Sequence, residues 1–328
     1  MIGLVAGDNL LVSLLGSGGF GRVYLGLQLP LLMRVAVKLL SAEYVGAAAM
    51  EELRAKFEGE ARALALVQHP HVVRLLQYGT FFDKPFLSMD YVADAVTLEE
   101  AIARKSAEAS SFSLAEIQAI LGQLLDGLGA AHELGVIHRD IKPANLMLQQ
   151  AIGYPVFVRI LDFGLAKFLD AGDSTTFLSG TPDYMAPEQI RRQDLGPWTD
   201  LYAVGTIAFE LLFGRSPVRG ETPQETLWRK LEVDFDPSAS IAGLGLPLDT
   251  MDFLRLSLAA DPGQRYRSAC AMRLGMERAL GVLSETSRVP AADFVTSPGG
   301  SADEGMRRWL EHEEVRLFPG LRNSPDED

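Results

Sequence analysis

Cysteine is nearly missing from this chain. Cys270 stands alone, so no disulfide can form within it, and a reducing, cytoplasmic setting is expected. Long apolar runs are missing as well: the longest, Leu201 to Gly214, carries Glu210 and is too short to cross a bilayer, so no membrane span is expected. The apolar residues of Met1 to Leu15 have no basic flank and are interrupted by Asp8. That reads as a first strand rather than an export signal. Basic residues are in deficit, 30 Lys and Arg against 43 Asp and Glu, for a formal net charge of -13. Such a chain offers no general basic face to phosphates, and no nucleic acid partner is expected. What is present is ordinary globular material, 328 residues of which 48% are hydrophobic, enough for one large domain or two lobes.

Two textures follow one another. From about Asn9 to Tyr91 the pattern is strand-like with one helix. Val23, Leu25 and Leu27 alternate with other residues, Val35 to Val37 form a second β-type run, and Pro30 lies between them, so the pair reads as a hairpin. Leu53, Phe57, Glu60 and Leu64 predict one face of a helix over Met50 to Val67. Strands are expected again over Val72 to Tyr78 and Phe86 to Val92. From about Leu98 the period turns helical. Ser113 and Glu116 form a capping-box pattern ahead of an apolar face made by Ile117, Ile120, Leu121, Leu124, Leu125 and Leu128. A second buried helix is predicted over Asp200 to Phe213. The fold expected is α+β and bilobal, with a small β-rich lobe over residues 1–91 and a larger helical lobe over 92–283. Residues 284–328, with Ser-Pro, Gly-Gly and an acidic end, are expected to be a tail with a short helix at most.

Chemistry enters through four groups of residues. Gly16-Ser17-Gly18-Gly19-Phe20-Gly21-Arg22-Val23 is a glycine string that lets backbone amides approach phosphate oxygens, and it runs on into a strand, not a helix. This separates it from a dinucleotide fingerprint, and the missing Gly-Lys-Ser/Thr ending separates it from a Walker loop. Lys38 ends the apolar run Val35-Ala36-Val37. Glu60 sits on the apolar stripe of the predicted helix, where an unpaired carboxylate would be costly, and Lys38 is its natural partner. The string His138-Arg139-Asp140-Ile141-Lys142-Pro143-Ala144-Asn145 is followed by Asp162-Phe163-Gly164 and then by Ala186-Pro187-Glu188.

Together, over about Leu10 to Gly281, these motifs resemble the eukaryotic-type Ser/Thr protein kinase family, bacterial members included. The resemblance implies that ATP and Mg²⁺ are used and that the γ-phosphoryl group passes to serine or threonine hydroxyls of protein substrates. In this family Lys38 holds the α- and β-phosphates and Glu60 orients it, Asp140 receives the hydroxyl's proton, and Lys142 neutralises the transferring group. Asn145 and Asp162 are the implied magnesium ligands. Gly16, Gly18 and Gly21 cover the phosphates. Leu15, Val23, Ala36 and Met147 enclose adenine, Met89 is the gatekeeper, and Asp90 and Val92 offer backbone hydrogen bonds to the base. Leu64, Leu75, His138 and Phe163 fall where the family stacks a spine between its lobes. Asp200 braces the catalytic loop, Arg265 pairs with Glu188, and His69 and His71 are turn and packing residues. Serine/threonine specificity rests on Lys142 and on Gly180-Thr181-Pro182. Arg139 beside Asp140 implies control by autophosphorylation at Thr175 or Thr176, ahead of Ser174 and Ser179. With no sensor domain in the chain, a separate regulatory protein partner is expected. The competing class is a pseudokinase, an interaction module keeping only the fold; the presence of Lys38, Glu60, Asp140, Asn145 and Asp162 argues against it.

Overall fold

The structure is a computed structural model and describes residues 1–18, 21–40, 58–59, 61–151, 154–163, 182–232 and 245–286. The first sheet is antiparallel and contains β1 (Val5–Ala6), β2 (Asn9–Gly18), β3 (Gly21–Gln28), β4 (Met33–Leu40), β5 (Leu75–Phe81) and β6 (Lys84–Asp90), in the order β1-β2-β3-β4-β6-β5. Strand register assigns its two faces. Tyr24 lies opposite Val37 and Leu39 opposite Phe86, and with Ala6, Leu11 and Val35 they form an apolar cluster of their own. Because side chains alternate along a strand, the other face carries Val23 opposite Lys38, and Ala36 opposite Met89. Leu40, Leu75 and Leu87 share that face and join the larger core below it.

The β2–β3 hairpin holds the glycine string, with Gly16 opposite Val23 and Gly18 opposite Gly21. Its glycines are not equivalent. Gly16 and Gly18 have no neighbour within 4 Å of a notional Cβ, whereas Gly21 has φ +138 and a Cβ there would run into the Leu39 carbonyl. Gly21→Ala therefore costs at least about 1–3 kcal/mol in backbone strain alone. The expected fall in thermal midpoint is several degrees, against almost none for Gly16→Ala; equal midpoints for the two variants would refute this.

The hairpin expected around Pro30 is present as β3–β4. The next two strands are shifted relative to the sequence expectation. Val72 is bridged to Ile160 through the His71 carbonyl and the Val73 N–H, so this stretch leaves the first sheet and β5 begins only at Leu75. Phe82 and Asp83, both at positive φ, make the two-residue turn that lets β6 begin at Lys84.

A second sheet of β7 (Ala95–Thr97), β8 (Leu146–Ala151) and β9 (Tyr154–Ile160) lies among the helices α1 (Leu98–Ala107), α2 (Leu114–Glu133), α3 (Pro187–Ile190), α4 (Pro197–Phe213), α5 (Pro223–Leu231), α6 (Leu248–Leu258) and α7 (Ala269–Thr286). Ser113 caps α2 through the reciprocal box with Glu116, and the predicted apolar face of α2 is buried throughout. α4 opens on Pro197, whose missing N–H costs nothing at that position, and stops at Gly214 in the left-handed conformation. Between these ends Leu201, Tyr202, Val204, Ile207, Ala208 and Phe209 are buried, so α4 is the pillar around which the helical lobe packs. The result is the expected α+β, bilobal arrangement.

Residues Glu58, Gly59 and 61–65 are helical, within the helix predicted over Met50 to Val67. Residues 50–57, Glu60, Gly164, the phosphorylation candidates Thr175 and Thr176 with Ser174 and Ser179, Gly180, Thr181, and residues 287–328 of the expected tail lie outside the described residues. Among the described residues no helix is long and apolar enough to cross a membrane.

Candidate active site

Leu161 organises the site. Its N–H donates to the Asn145 carbonyl at 2.8 Å, and its own carbonyl accepts from His138 Nε2 at 2.7 Å. These two bonds seat Asp162 beside the loop 138–145. Asp162 and Arg139 both have left-handed backbones, φ +52 and +64, which non-glycine residues keep only where the surroundings impose them. For Arg139 the restraint is visible. Its N–H donates to Asp200 Oδ1 at 2.8 Å, and its carbonyl accepts from Gln189. Asp200, itself buried in α4, also accepts from the His138 N–H and contacts His132 Nε2, each at 2.8 Å. The pillar helix thus holds the loop through a carboxylate, as expected of Asp200.

Within the loop, Asn145 Nδ2 donates to the Asp140 carbonyl at 2.8 Å and to Asp140 Oδ2 at 3.1 Å. Lys142 Nζ meets the same Oδ2 at 3.0 Å. From the sheet, Lys38 reaches down to Asp162 Oδ2 at 2.7 Å, with 10% and 32% of the two side chains exposed. Lys38 thus holds Asp162, the preceding Leu161 is bonded to Asn145, and Asn145 and Lys142 converge on Asp140, which links β4 to the helical lobe. Glu60, the partner expected for Lys38, lies outside the described residues.

His138 accepts from the Asp140 N–H at Nδ1 and donates from Nε2 to Leu161, so it is held as the neutral imidazole. Its ring packs on Phe163 at 4.6 Å between centroids, and Phe163 shares the main core with Leu64 and Leu75. Burial pushes the pKa of His138 below the ordinary value, and burial does the same to His69 and His71. The unfolded chain takes up these protons near pH 6.5 while the folded chain does not, so stability is lost as pH falls through that value. Urea unfolding should show a lower midpoint at pH 5.5 than at pH 7.5; an unchanged or higher midpoint at pH 5.5 would contradict this.

The expected adenine-binding positions are half-buried: Val23, Ala36 and Met89 on the sheet face that carries Lys38, and Met147 on β8 of the second sheet. Leu15 is more open, at 46% exposure. Asp90 gives its N–H to the Arg74 carbonyl, so a base could use only its carbonyl, and Val92 follows in the connection to the second sheet.

The donor set also suits magnesium. Asn145 commits its amide nitrogen to Asp140, which turns its carbonyl oxygen to other use, and Asp162 brings a carboxylate. Both are hard oxygen donors of the kind magnesium prefers.

Beyond the loop, Glu188 and Arg265 pair through both guanidinium nitrogens at 2.8 and 2.9 Å, both nearly fully buried, as expected. Three residues here were not singled out in the sequence. The Tyr184 hydroxyl donates to Glu210 at 2.5 Å, and burial raises the pKa of both groups. Lys230 of α5 is fully buried. Its signal was present, since it lies three residues after Leu227 and four after Thr226 on the inward stripe of α5, the reasoning applied to Glu60.

A bilobal fold that suspends a strand lysine over a loop of Asp140, Lys142 and Asn145 is that of a protein kinase domain, and comparison with known proteins agrees. Residues 10–273 match the protein kinase domain family. The serine/threonine-protein kinase Pkn1 of Myxococcus xanthus is 36% identical over 92% of this chain and 42% of its own length. PknL of Mycobacterium bovis is 32% identical over 80% of this chain and 63% of its own. The crystal structure of the Mycobacterium tuberculosis PknI kinase domain superposes with a TM-score of 0.65 at 26% identity, over 85% of this chain and 98% of that one. The chain belongs to the eukaryotic-type Ser/Thr protein kinase family, on its bacterial side. It spans less than two thirds of the length of these curated relatives.

Proposed function

We propose that this chain transfers the γ-phosphoryl group of ATP to serine and threonine hydroxyls of proteins. The observation that carries the reading is that Lys38 pairs with Asp162, whose neighbour Leu161 bonds Asn145, while Asn145 and Lys142 converge on the Asp140 carboxylate. Phosphoryl transfer asks for little covalent chemistry from the protein and much positioning. In this reading Gly16, Gly18 and Gly21 close over the phosphates. Lys38, oriented by Glu60, pairs with the α- and β-phosphates. Leu15, Val23, Ala36, Met89 and Met147 enclose the base, which bonds the backbone of Asp90 and Val92. Asp140 accepts the acceptor hydroxyl's hydrogen bond and then its proton. Lys142, 3.0 Å from that carboxylate, neutralises the charge that builds on the transferring group. Asn145 and Asp162 would hold magnesium, which when bound offsets the negative charge of the phosphates.

We further read Thr175 or Thr176 as the site of activating autophosphorylation and Arg139 as its cationic partner, with a separate protein as the upstream regulator. The test is transfer of labelled phosphate from ATP to histone in the presence of Mg²⁺, with Asp140→Asn as control and phosphosite mapping of the kinase itself. Label above the control that disappears with EDTA supports the reading. No label above the control favours the interaction-module alternative. Active protein unmodified between Asp162 and Glu188 removes the autophosphorylation part alone.

A further inference from the structure

Lys230 is a cation with no solvent. It has 0% exposure, and its ammonium reaches three backbone carbonyls, those of Pro182 at 2.9 Å, Asp183 at 2.5 Å and Met185 at 2.9 Å. An ammonium has three N–H donors and no acceptor, so donors and carbonyls match one to one. The aromatic face of Tyr202, on the pillar helix α4, lies 5.3 Å away and backs the same charge. The neighbouring Arg229 behaves in the ordinary way, bonding Glu225 on the exposed side of α5.

The three carbonyls belong to the short segment that leads into α3. Tyr184 and Met185 of that segment line the recess also lined by Asp140 and Lys142, where a hydroxyl must enter to meet the base. No carbonyl of residues 182, 183 or 185 can turn without leaving an N–H of a buried ammonium unpaired, which is costly in that setting.

We infer that Lys230 is a positioning residue for the acceptor protein: it pins the backbone of residues 182–185 and so fixes the wall of the recess against which the phosphorylated segment docks. The inference rests on the kinase reading above. It assigns Lys230 no contact with ATP or with the reacting atoms, so its influence should fall on the acceptor and not on the nucleotide. A pH signature accompanies it. Burial pushes the Lys230 ammonium down to about 7, with Asp183 pulling it up and Arg265 pushing it down by smaller amounts. Among the described residues the other polar groups facing it are the three carbonyls, which hold the proton, and Tyr202, whose own proton is held far above this range by burial. A neutral amine has only two N–H donors for three carbonyls, so the wall should slacken as pH rises through the Lys230 ionisation.

The experiment measures KM for histone and KM for ATP separately in wild type, Lys230→Met and Lys230→Gln. Lys230→Met is expected to raise the histone KM tenfold or more while the ATP KM stays within twofold, and Lys230→Gln, which restores two donors, to fall between. Equal changes in both KM values, or a loss confined to kcat, would make Lys230 a general packing residue and overturn the inference. Should both variants fail to fold, the wild type decides: its histone KM must rise between pH 6.5 and 9 with a flat ATP KM, and a flat histone KM refutes the inference. Absence of any wild-type phosphorylation refutes the kinase reading instead, so the two failures are distinguishable.

Discussion

Asp140→Asn is expected to lower kcat for phosphate transfer by about 10²–10⁴-fold, with the KM for ATP little changed. The isostere shows why the loss should be chemical and not structural. Asp140 Oδ2 takes hydrogen bonds from Asn145 at 3.1 Å and Lys142 at 3.0 Å. An asparagine here must turn its carbonyl oxygen to those two donors, because its amide nitrogen would oppose the Lys142 ammonium. The atom left facing an acceptor hydroxyl is then an N–H₂, a donor where an acceptor is required. The backbone contacts that hold the loop use the Asp140 carbonyl and N–H, which the substitution spares, so the thermal midpoint should stay within a few degrees. The range given corresponds to about 3–5 kcal/mol of transition-state stabilisation. Steady-state kinetics beside a melting curve checks both halves. A variant within tenfold of wild type would remove Asp140 as the base, and the reading of the loop with it.

What could be read in advance follows from how local each feature is. The α2 capping box and its apolar face depend on residues three and four apart, so Ser113 and Glu116 announce them directly. The loop 138–145 is likewise a contiguous string whose side chains act where they stand. Strand edges are a different matter. Val72 and Val73 have the composition of the strand they precede, yet Val72 bridges Ile160, more than eighty residues on, through the His71 carbonyl and the Val73 N–H, and no local pattern carries that pairing. The glycine string shows the same limit. Among its described glycines only Gly21 has a carbonyl from a third strand pressed against it, and that neighbour enters through the β3–β4 register. Lys230, by contrast, is legible from its helical position alone. The dipeptide Arg229-Lys230 reads as a charged surface unless each residue is placed on the helix, where one step of 100° separates a solvated side chain from a buried one.

The largest expected effect on stability lies at Arg265. Each of its guanidinium N–H groups is used: Nε donates to the Ala259 carbonyl at 2.6 Å, one terminal nitrogen to Glu188 and the Trp198 carbonyl, and the other to Glu188 and the Ala260 carbonyl. The plane stacks on the Tyr202 ring at 4.7 Å. Glu188 also accepts from Thr199 Oγ1 at 2.9 Å, so the pair ties the start of α3 to both α4 and the loop before α7. Arg265→Met removes the cation and leaves Glu188, 1% exposed, as a buried charge with one hydroxyl for company. The cost of breaking such a pair from one side is about 3–5 kcal/mol. At about 2–4 °C per kcal/mol for a domain of this size, the thermal midpoint should fall by roughly 6–20 °C. The double variant Glu188→Gln with Arg265→Met discriminates the cause. If the penalty is the stranded charge, neutralising Glu188 must recover a substantial part of the loss, because the two changes are then far from additive. If instead the lost contacts of Arg265 to Ala259, Trp198 and Ala260 dominate, the double variant will melt no higher than Arg265→Met. A single variant melting within about 2 °C of wild type would mean that α3 is held by something other than this pair.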